Sequence, residues 1–257
     1  MAGRAPRDWD GATYDRIADP MTRWGTSVLD RLPLRGDETV LDAGCGSGRV
    51  TERLLERLPD GRVVALDGSP AMIETARSRL APWGERVAYL VADLGAPLPL
   101  PPASVDDILS TATFHWVPDH AAMFRHLAAV LKPGGRLVAQ CGGAGNIRAV
   151  REAIAATGET WPGPWTFATV EGTRDRLEAA GFRDIEVWIH DEPTPLEPGE
   201  PLREFLRTVI LGDHLERLAP DRRDAFVEAV AANLPAPVID YNRLNIVARY
   251  AGPATVS

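Results

Sequence analysis

The spacing of apolar residues changes twice along the chain, and each change predicts a different kind of element. In the first segment, residues 12–32, large apolar residues recur three or four positions apart, which is the spacing of one helix face. They are Tyr14, Ile17, Met21, Trp24, Val28 and Leu32. This pattern predicts an amphipathic N-terminal helix.

Short apolar runs then alternate with helical patterns up to about residue 140. The runs predict strands at 39–43, 62–67, 87–91, 105–110 and 136–140, and the segments between them predict helices ending near 58, 80 and 131. Alternating strands and helices are typical of a parallel sheet covered on both faces. We therefore expect a doubly wound α/β fold.

The second half has a different pattern, with more helix than strand. It predicts helices at 146–157 and up to Gly181, a strand at 182–190, a proline-containing linker at 191–201, helices at 202–218 and 221–234, and a last strand at 243–250. We divide the chain into an N-terminal cap helix at 1–36, a core at 37–143, and a half at 144–257 that carries helical inserts and the last two sheet strands. We expect the N-terminal helix and the inserts around 145–180 and 191–235 to form a helical cap. The tail from Gly252 is expected to be loose.

A glycine-rich turn follows the first predicted strand and opens a helix. Gly44, Gly46 and Gly48 allow a tight turn and a close approach of backbone to a ligand. A dinucleotide fingerprint would place glycine at position 49, where this chain has Arg49. Asp42, two residues before the turn, suits a ligand with positive charge, such as an amine or a sulfonium. This favours S-adenosylmethionine over a nicotinamide dinucleotide, with an ordinary strand-to-helix turn as the structural alternative.

Two further aspartates lie at the carboxyl ends of predicted strands, Asp67 as the last residue of one and Asp93 two residues after another. Asp67 lies 19 positions after Gly48, where doubly wound folds place the acid that binds ribose hydroxyls. Asp93 is placed to accept a hydrogen bond from an adenine amine. The alternatives are a capping or surface role for Asp67 and an unliganded loop role for Asp93.

Four segments resemble the class I S-adenosylmethionine-dependent methyltransferases: VLDAGCGSG at 40–48, VVALDGSPAMIETAR at 63–77, VADL at 91–94 and LKPGGRLV at 131–138. The resemblance implies a seven-stranded, mostly parallel sheet whose final strand is antiparallel. It also implies a donor site in which the three glycines wrap the methionyl part, Asp67 holds the ribose, Met72 packs on the adenine, and Asp93 with Leu94 lines the adenine pocket.

A narrower resemblance links the chain to the trans-aconitate 2-methyltransferase group, which are carboxyl O-methyltransferases. It rests on WDGATYD at 9–15, ATFHWVPDH at 112–120 and RLNIVAR at 243–249. The resemblance implies that the segment with Thr113, His115 and Trp116 faces both donor and acceptor. It also suggests that Tyr14 closes over the donor, although Tyr14 and Trp24 equally suit a helix core. The donor residues expected in all are Tyr14, Asp42, Gly44, Gly46, Gly48, Asp67, Met72, Asp93, Leu94 and Thr111.

The acceptor decides which further residues matter. A carboxylate is already ionised and needs a cationic partner, usually arginine, and Arg243 is the candidate that the resemblance includes. A hydroxyl benefits from a base, and His115 is the candidate catalytic residue, with packing between Phe114 and Trp116 as its alternative. Residues 161–167, here called the aromatic loop, hold Trp161 and Trp165. The loop suits one wall of an acceptor pocket, as does Trp116, or simply seals the cap to the sheet.

We therefore expect methyl transfer from S-adenosylmethionine to a small molecule, with the carboxylate of trans-aconitate or a related acid as acceptor. The rival acceptors are a natural-product hydroxyl, amine or carbon, and the rival classes are a nicotinamide oxidoreductase and a donor-binding protein without activity.

Charge and composition narrow the partners and the compartment. The net charge of −8, from 28 basic and 36 acidic residues, disfavours nucleic acid. No apolar run is long enough for a membrane span, and no signal peptide is evident. Cys45 and Cys141 suggest buried thiols in a reducing compartment, and no histidine or cysteine spacing indicates a metal site. A cytoplasmic monomer is the default expectation.

Overall fold

The alternating half of the chain folds as the apolar pattern predicts. The computed structural model of the protein describes residues 19–252. Its first half contains α1 (Asp19–Leu29), β1 (Thr39–Ala43), α2 (Arg49–Glu56), β2 (Arg62–Asp67), α3 (Pro70–Leu80), β3 (Val87–Val91), β4 (Val105–Thr111), α4 (His120–Val130) and β5 (Leu131–Gly142). Short 3₁₀ turns lie at Ala81–Arg86 and Phe114–Trp116. The part of the predicted N-terminal helix before residue 19 falls outside the described residues.

The second half adds helices on one side and two long strands. Its elements are α5 (Arg148–Ala156), α6 (Val170–Ala179), β6 (Phe182–Asp191), β7 (Thr194–Pro195), α7 (Glu200–Phe205), α8 (Gly212–Arg217), α9 (Pro220–Asn233), β8 (Val238–Ile239) and β9 (Asn242–Tyr250). A π-helical turn at Leu206–Ile210 separates α7 from α8. The predicted single helix at 202–218 is therefore wrong in its continuity, since π turns interrupt the regular helical hydrogen-bond ladder.

Two strand predictions also need correction. The linker at 191–201 contains β7, which pairs with β8 through Thr194 opposite Ile239. Strand β5 begins at Leu131 rather than at 136. The segment Lys132 to Gly135 has the composition of a turn, yet Leu131 pairs with Val105 before the register shifts to Asp107 opposite Arg136. The irregularity lets turn residues lie inside the strand.

The seven-stranded sheet has the order β3-β2-β1-β4-β5-β9-β6, with the chain's last strand antiparallel to both of its neighbours. This confirms the predicted sheet. The strand order reverses between β1 and β4, because β1 lies beside both β2 and β4. In open α/β sheets, ligands bind at the carboxyl ends of the strands at such a reversal.

Three groups of buried apolar residues hold the fold together. One lies between the sheet and α1, α2 and α3, with Val28, Leu54 and Ile73 fully or almost fully buried. Another lies on the opposite face under α4 and α6, around Phe124. The third joins α5, the segment 202–215 and α9, and it forms a helical cap over the carboxyl ends of the strands.

Candidate functional site

A cavity of about 550 Å³ opens at the carboxyl ends of β1, β2 and β4, under the helical cap. We call it the central cavity. Its volume lies in the range of pockets that hold drug-sized ligands. One part of its wall comes from the glycine turn and the strand ends of the core, and the other comes from the aromatic loop, the cap and the start of β9.

The glycine turn is shaped by contacts that exclude a side chain. Gly44 has a φ of +88°, and a Cβ at this position would lie 2.0 Å from Oγ1 of Thr113. The amides of Gly44 and Cys45 both donate to the carbonyl of Leu66, at 2.7 and 2.9 Å, which ties the turn to the end of β2. Gly44 and Gly46 line the cavity. The chain thus brings bare backbone to the cavity wall where the turn meets the strand ends.

Gly48 has a different position from the other two glycines. It caps α2 with a φ of +85° and packs against Ala76 and Leu80 of α3, and it does not line the cavity. Its small size therefore serves close packing of α2 against α3.

Asp67 lies at the end of β2 and is half-buried on the cavity wall. Its Oδ2 accepts from the amide of Gly46 at 2.9 Å and its Oδ1 from that of Ser69 at 2.9 Å. Burial raises the pKa of this carboxyl, and the backbone amides oppose that shift. Ser69 in turn accepts from the amide of Met72 at 3.2 Å, which begins α3 and places Met72 on the wall.

Asp42 lies beneath the cavity rather than on its wall. The side chain is buried, and Oδ2 accepts from Oγ1 of Thr51 at 2.6 Å, whereas the structure gives Oδ1 no hydrogen-bond partner. Burial raises the pKa of Asp42 to about 7, and the Asp67 carboxylate adds to the rise. The Asp42 carboxyl therefore lies behind the glycine turn and is not part of the described cavity wall.

Asp93, Leu94 and Thr111 complete the core side of the cavity. Asp93 is exposed, and its Oδ1 accepts from the amide of Gly95 at 2.8 Å. Leu94 is buried. The strand ends therefore present one acidic group beside an apolar one, as an adenine pocket requires.

His115 lies in the 3₁₀ turn after β4 and is 8% exposed. Its Nδ1 accepts from the amide of Gly142 at 3.3 Å, so the ring hydrogen must be on Nε2. Burial, with smaller contributions from Arg243 and His120, holds the pKa of His115 well below its ordinary value. The ring is therefore neutral, its Nδ1 lone pair is engaged, and its other nitrogen is a donor.

Arg243 carries its charge into the cavity wall from the start of β9. It is 3% exposed, and its Nε donates to Oε1 of Gln140 at 3.2 Å. The guanidinium carbon lies 4.8 Å from the ring centre of Trp24 and 5.9 Å from that of Tyr241. Stacking on aromatic rings stabilises a guanidinium away from water.

The aromatic loop faces the same cavity and is fixed at both ends. The rings of Trp165 and Phe167 are stacked, 6.0 Å apart and 9° from parallel. The amide of Thr166 donates to the carbonyl of His115 at 2.8 Å, which ties the loop to the turn after β4. On the other side His214 of α8 contacts the Trp161 ring at 4.7 Å, and its Nε2 lies 3.3 Å from the Trp161 carbonyl.

The structure thus brings most predicted residues to one cavity. Those on the wall are Gly44, Gly46, Asp67, Met72, Asp93, Leu94, Thr111, His115, Trp116, Trp161, Trp165 and Arg243. Asp42 and Gly48 support the turn from behind, and Tyr14 lies outside the described residues. Sequence reasoning missed Gln140 and His214 beside the wall and Tyr241 on it. A polar Gln140 inside an apolar strand is the one signal that could have pointed to this region.

The described residues, 19–252, contain neither a metal-binding cluster nor a membrane-spanning helix. No group of three or more histidine, cysteine, aspartate or glutamate side chains is arranged to hold a metal ion there. No helix in that range is long and apolar enough to cross a membrane.

Comparison with known proteins gives consistent results. A methyltransferase domain family matches residues 40–135. A trans-aconitate 2-methyltransferase of Azoarcus sp. (strain BH72) is 34% identical over 239 residues, covering 89% of this chain and 90% of the relative. One of Methylobacterium radiotolerans is 33% identical over 237 residues, covering 86% and 87%.

A solved structure of Haemonchus contortus phosphoethanolamine N-methyltransferase 2, in complex with phosphomonomethylethanolamine and S-adenosylhomocysteine, superposes with a TM-score of 0.65. The two chains are 21% identical, and the superposition covers 95% of this chain and 57% of the solved one. This likeness supports the fold.

Proposed function

The chain belongs to the class I S-adenosylmethionine-dependent methyltransferases, and from that premise we propose that it methylates a carboxylate oxygen of a small acid. The acid is trans-aconitate, after which its relatives are named, or a related acid. The observation that carries the proposal is the buried guanidinium of Arg243 on the wall of the cavity that also holds the glycine turn. A carboxylate binds a guanidinium through two parallel hydrogen bonds.

The residues present fit S-adenosylmethionine. Gly44 leaves backbone bare on the wall where any Cβ would collide with Thr113, and Asp67 presents a carboxylate beside it. We assign Gly44 and Gly46 to the methionyl part, Asp67 to the ribose hydroxyls, Met72 to the face of the adenine, and Asp93, Leu94 and Thr111 to its edge.

Two predicted donor residues receive a supporting role instead. Asp42 and Gly48 lie behind the wall, so we propose that they shape the turn and the approach of α2. Tyr14 remains a proposed contact of the donor.

When bound, S-adenosylmethionine supplies a methyl group on a sulfonium, so that a carbon–oxygen bond to the acid forms as the carbon–sulfur bond breaks. The protein's part is to hold the carboxylate oxygen in line with that methyl and to exclude water. Arg243 orients the carboxylate, and the aromatic loop with Trp116 covers the reacting groups.

His115 has a binding role in this proposal, not a basic one. Its Nδ1 already accepts from Gly142, and burial keeps its pKa low, so it is a poor proton acceptor. A carboxylate needs no base, and a neutral ring with hydrogen on Nε2 can donate to one. A hydroxyl acceptor, which would need a base, is therefore disfavoured.

We also propose how the chain is divided and where it acts. Residues 37–143 form the donor-binding core, with an N-terminal cap at 1–36 and an acceptor-side half at 144–257. The partner is a small molecule rather than nucleic acid, which the net charge of −8 supports. Both cysteines are buried and free, which supports a reducing compartment such as the cytoplasm. We propose a monomer as the default state.

Methyl transfer with a labelled donor tests the proposal. Purified protein is incubated with methyl-labelled S-adenosylmethionine and separate di- and tricarboxylic acids, including trans-aconitate, with phenols and amines alongside. The proposal predicts label on an acid that mild base releases, since methyl esters are base-labile. Label that withstands base, found on a phenol or an amine, would replace the proposal with the rival acceptor chemistry.

A further inference from the structure

We infer that the acceptor of this chain is an acid with one carboxylate and an aromatic or extended apolar body, in preference to a compact polycarboxylate. The inference rests on the proposed methylation of a carboxylate, and within that function it favours a related monocarboxylic acid over trans-aconitate itself. It follows from the charges on the wall of the central cavity, from the aromatic rings there and from the cap residues that lie beside them.

The charges on the wall favour an acceptor with few negative groups. Among the described residues that line the cavity, two are arginines, Arg49 and Arg243, and four are aspartates, Asp67, Asp93, Asp119 and Asp213. Arg49 begins α2 directly after the glycine turn, and Asp67 and Asp93 are assigned to the donor. The charged groups left for the acceptor are Arg243, Asp119 and Asp213. Each carboxylate beyond the first would be taken out of water beside a wall richer in acid than in base, which is unfavourable.

The uncharged part of the wall is unusually aromatic. Trp24, Trp116, Trp161, Trp165 and Phe167 all line the cavity and are all only half-buried. The ring centre of Trp165 lies 6.3 Å from that of Trp116 and 6.0 Å from that of Phe167, so these rings form one continuous surface. Ring surfaces of this kind bind flat apolar groups and offer little to a second or third carboxylate.

The cap adds apolar groups to the same wall, next to these rings. Val209 and Ile210 belong to the π-helical turn and line the cavity, as does Ile147. Ile147 has a φ of +48°, a conformation that is rare for a β-branched residue and is often found at binding sites. Its amide donates to the carbonyl of Asp240 at 3.0 Å, which holds the residue in this conformation.

Two acids that share the reacting group test the inference. Trans-aconitate and 3-phenylprop-2-enoate both carry an unsaturated carboxylate, but the second has a phenyl ring and no further acid. With labelled S-adenosylmethionine, we expect kcat/KM for the phenyl acid to exceed that for trans-aconitate at least 10-fold. A ratio of one or less, with ester formed, would overturn the inference and leave the proposed function intact.

Variants then locate the preference on the aromatic wall. We expect Trp165→Leu to reduce the ratio of the two kcat/KM values at least 5-fold. Trp83→Leu is the matched control, since Trp83 is also half-buried but lies away from the cavity. Phe167→Leu gives a second test if the first variant does not fold, and unchanged calorimetric affinity for S-adenosylhomocysteine shows that a variant has folded. An unchanged ratio in folded variants would overturn the assignment to these rings.

If the proposed function is wrong, the same experiments give a result that differs from failure of the inference alone. If S-adenosylhomocysteine binds but neither acid, nor any other acid tested, is esterified, then carboxylate methylation is wrong and the inference falls with it. If ester forms, only the ratio of the two acids decides the inference.

Discussion

Arg243 combines features that few arginines in this chain share. It is almost fully buried, stacked near two aromatic rings, and held through Nε by Gln140. Because Nε is engaged there, the guanidinium is held in one orientation, and its two terminal nitrogens are the pair that can bind a carboxylate side by side. We therefore assign carboxylate recognition to this residue.

Replacement of Arg243 separates binding of the acid from binding of the donor. We expect Arg243→Gln to raise KM for the acid about 100-fold while calorimetric affinity for S-adenosylhomocysteine changes less than about 3-fold. Arg249→Gln is the control, since Arg249 lies on the same strand but is exposed. If Arg243→Gln lost affinity for S-adenosylhomocysteine by as large a factor as KM for the acid rose, the assignment would be contradicted.

Gly44 tests the shape of the donor side. A Cβ there would meet Thr113 at 2.0 Å in addition to the strain of a positive φ. Gly44→Ala should lower the free energy of unfolding by about 3 kcal/mol or more and abolish donor binding. Gly134→Ala is the matched control, because Gly134 has a φ of +86° and nothing within 4 Å of its Cβ position. Urea denaturation curves should show a loss of only about 1 kcal/mol for the control. Equal losses would mean that the contact with Thr113 is unimportant.

Asp42 makes stability depend on pH in a definite direction. Its pKa is raised to about 7 in the folded state, above that of a carboxyl in the unfolded chain. Between about pH 4 and 7 the folded state keeps a proton that the unfolded state has released, so the free energy of unfolding falls as the pH rises. Urea denaturation at a series of pH values should show that the free energy of unfolding depends less steeply on pH in Asp42→Asn than in the unsubstituted protein. The difference in slope should be up to about 1.4 kcal/mol per pH unit. Parallel profiles for the two proteins would contradict the shift.

The donor side and the acceptor side of the cavity are built by different elements, and this explains which side could be predicted. The donor residues lie in short contiguous segments at the ends of β1, β2 and β3, where strand, glycine and acid follow one another in sequence. Strands β1 and β2 were predicted with the bounds that the structure has, because continuous apolar runs and clear turn residues mark them.

The acceptor side depends on contacts between residues far apart in the chain. Gln140 of β5 meets Arg243 of β9, and Asn245 of β9 meets Arg31 after α1, across 103 and 214 positions. No local pattern encodes these pairs. The break between α7 and α8 was missed for a different, local reason: the spacing of apolar residues does not distinguish a π-helical turn from an α-helix.

The hydrogen bonds between β5 and β9 predict a positioning role for Gln140. Its Oε1 accepts from Arg243, and its Nε2 donates to Oδ1 of Asn245 at 2.9 Å, so both ends of the amide are engaged. Gln140→Leu should raise KM for the acid about 10-fold with kcat changed less than about 3-fold, because Arg243 remains but loses its fixed orientation.

The conservative variant separates positioning from stability. Gln140→Asn keeps an amide with both an acceptor and a donor on a shorter side chain and should recover part of the KM for the acid. Changes in kcat and KM that follow the loss of stability, with no recovery in Gln140→Asn, would show a structural role alone.

At the scale of the molecule, the fold joins a sheet whose strand order could be predicted with a helical cap whose presence could be predicted but whose packing could not. The doubly wound order brings the proposed donor residues to the strand reversal, and the helical cap encloses them with aromatic rings. We therefore expect acceptor choice to depend on the cap and the start of β9, and donor binding to depend on the core. This division explains why sequence motifs identify the family more readily than the acid.

The central claim is that a carboxylate oxygen of the acid takes the methyl group, and isotope analysis of the product tests it most directly. The acid is prepared with both carboxylate oxygens as the heavy isotope, methylated by the protein, and hydrolysed with base in ordinary water. Hydrolysis breaks the bond between acyl carbon and oxygen, so methanol released from such an ester should carry the heavy isotope. Methanol with ordinary oxygen, or a methylated product that releases no methanol, would contradict the claim.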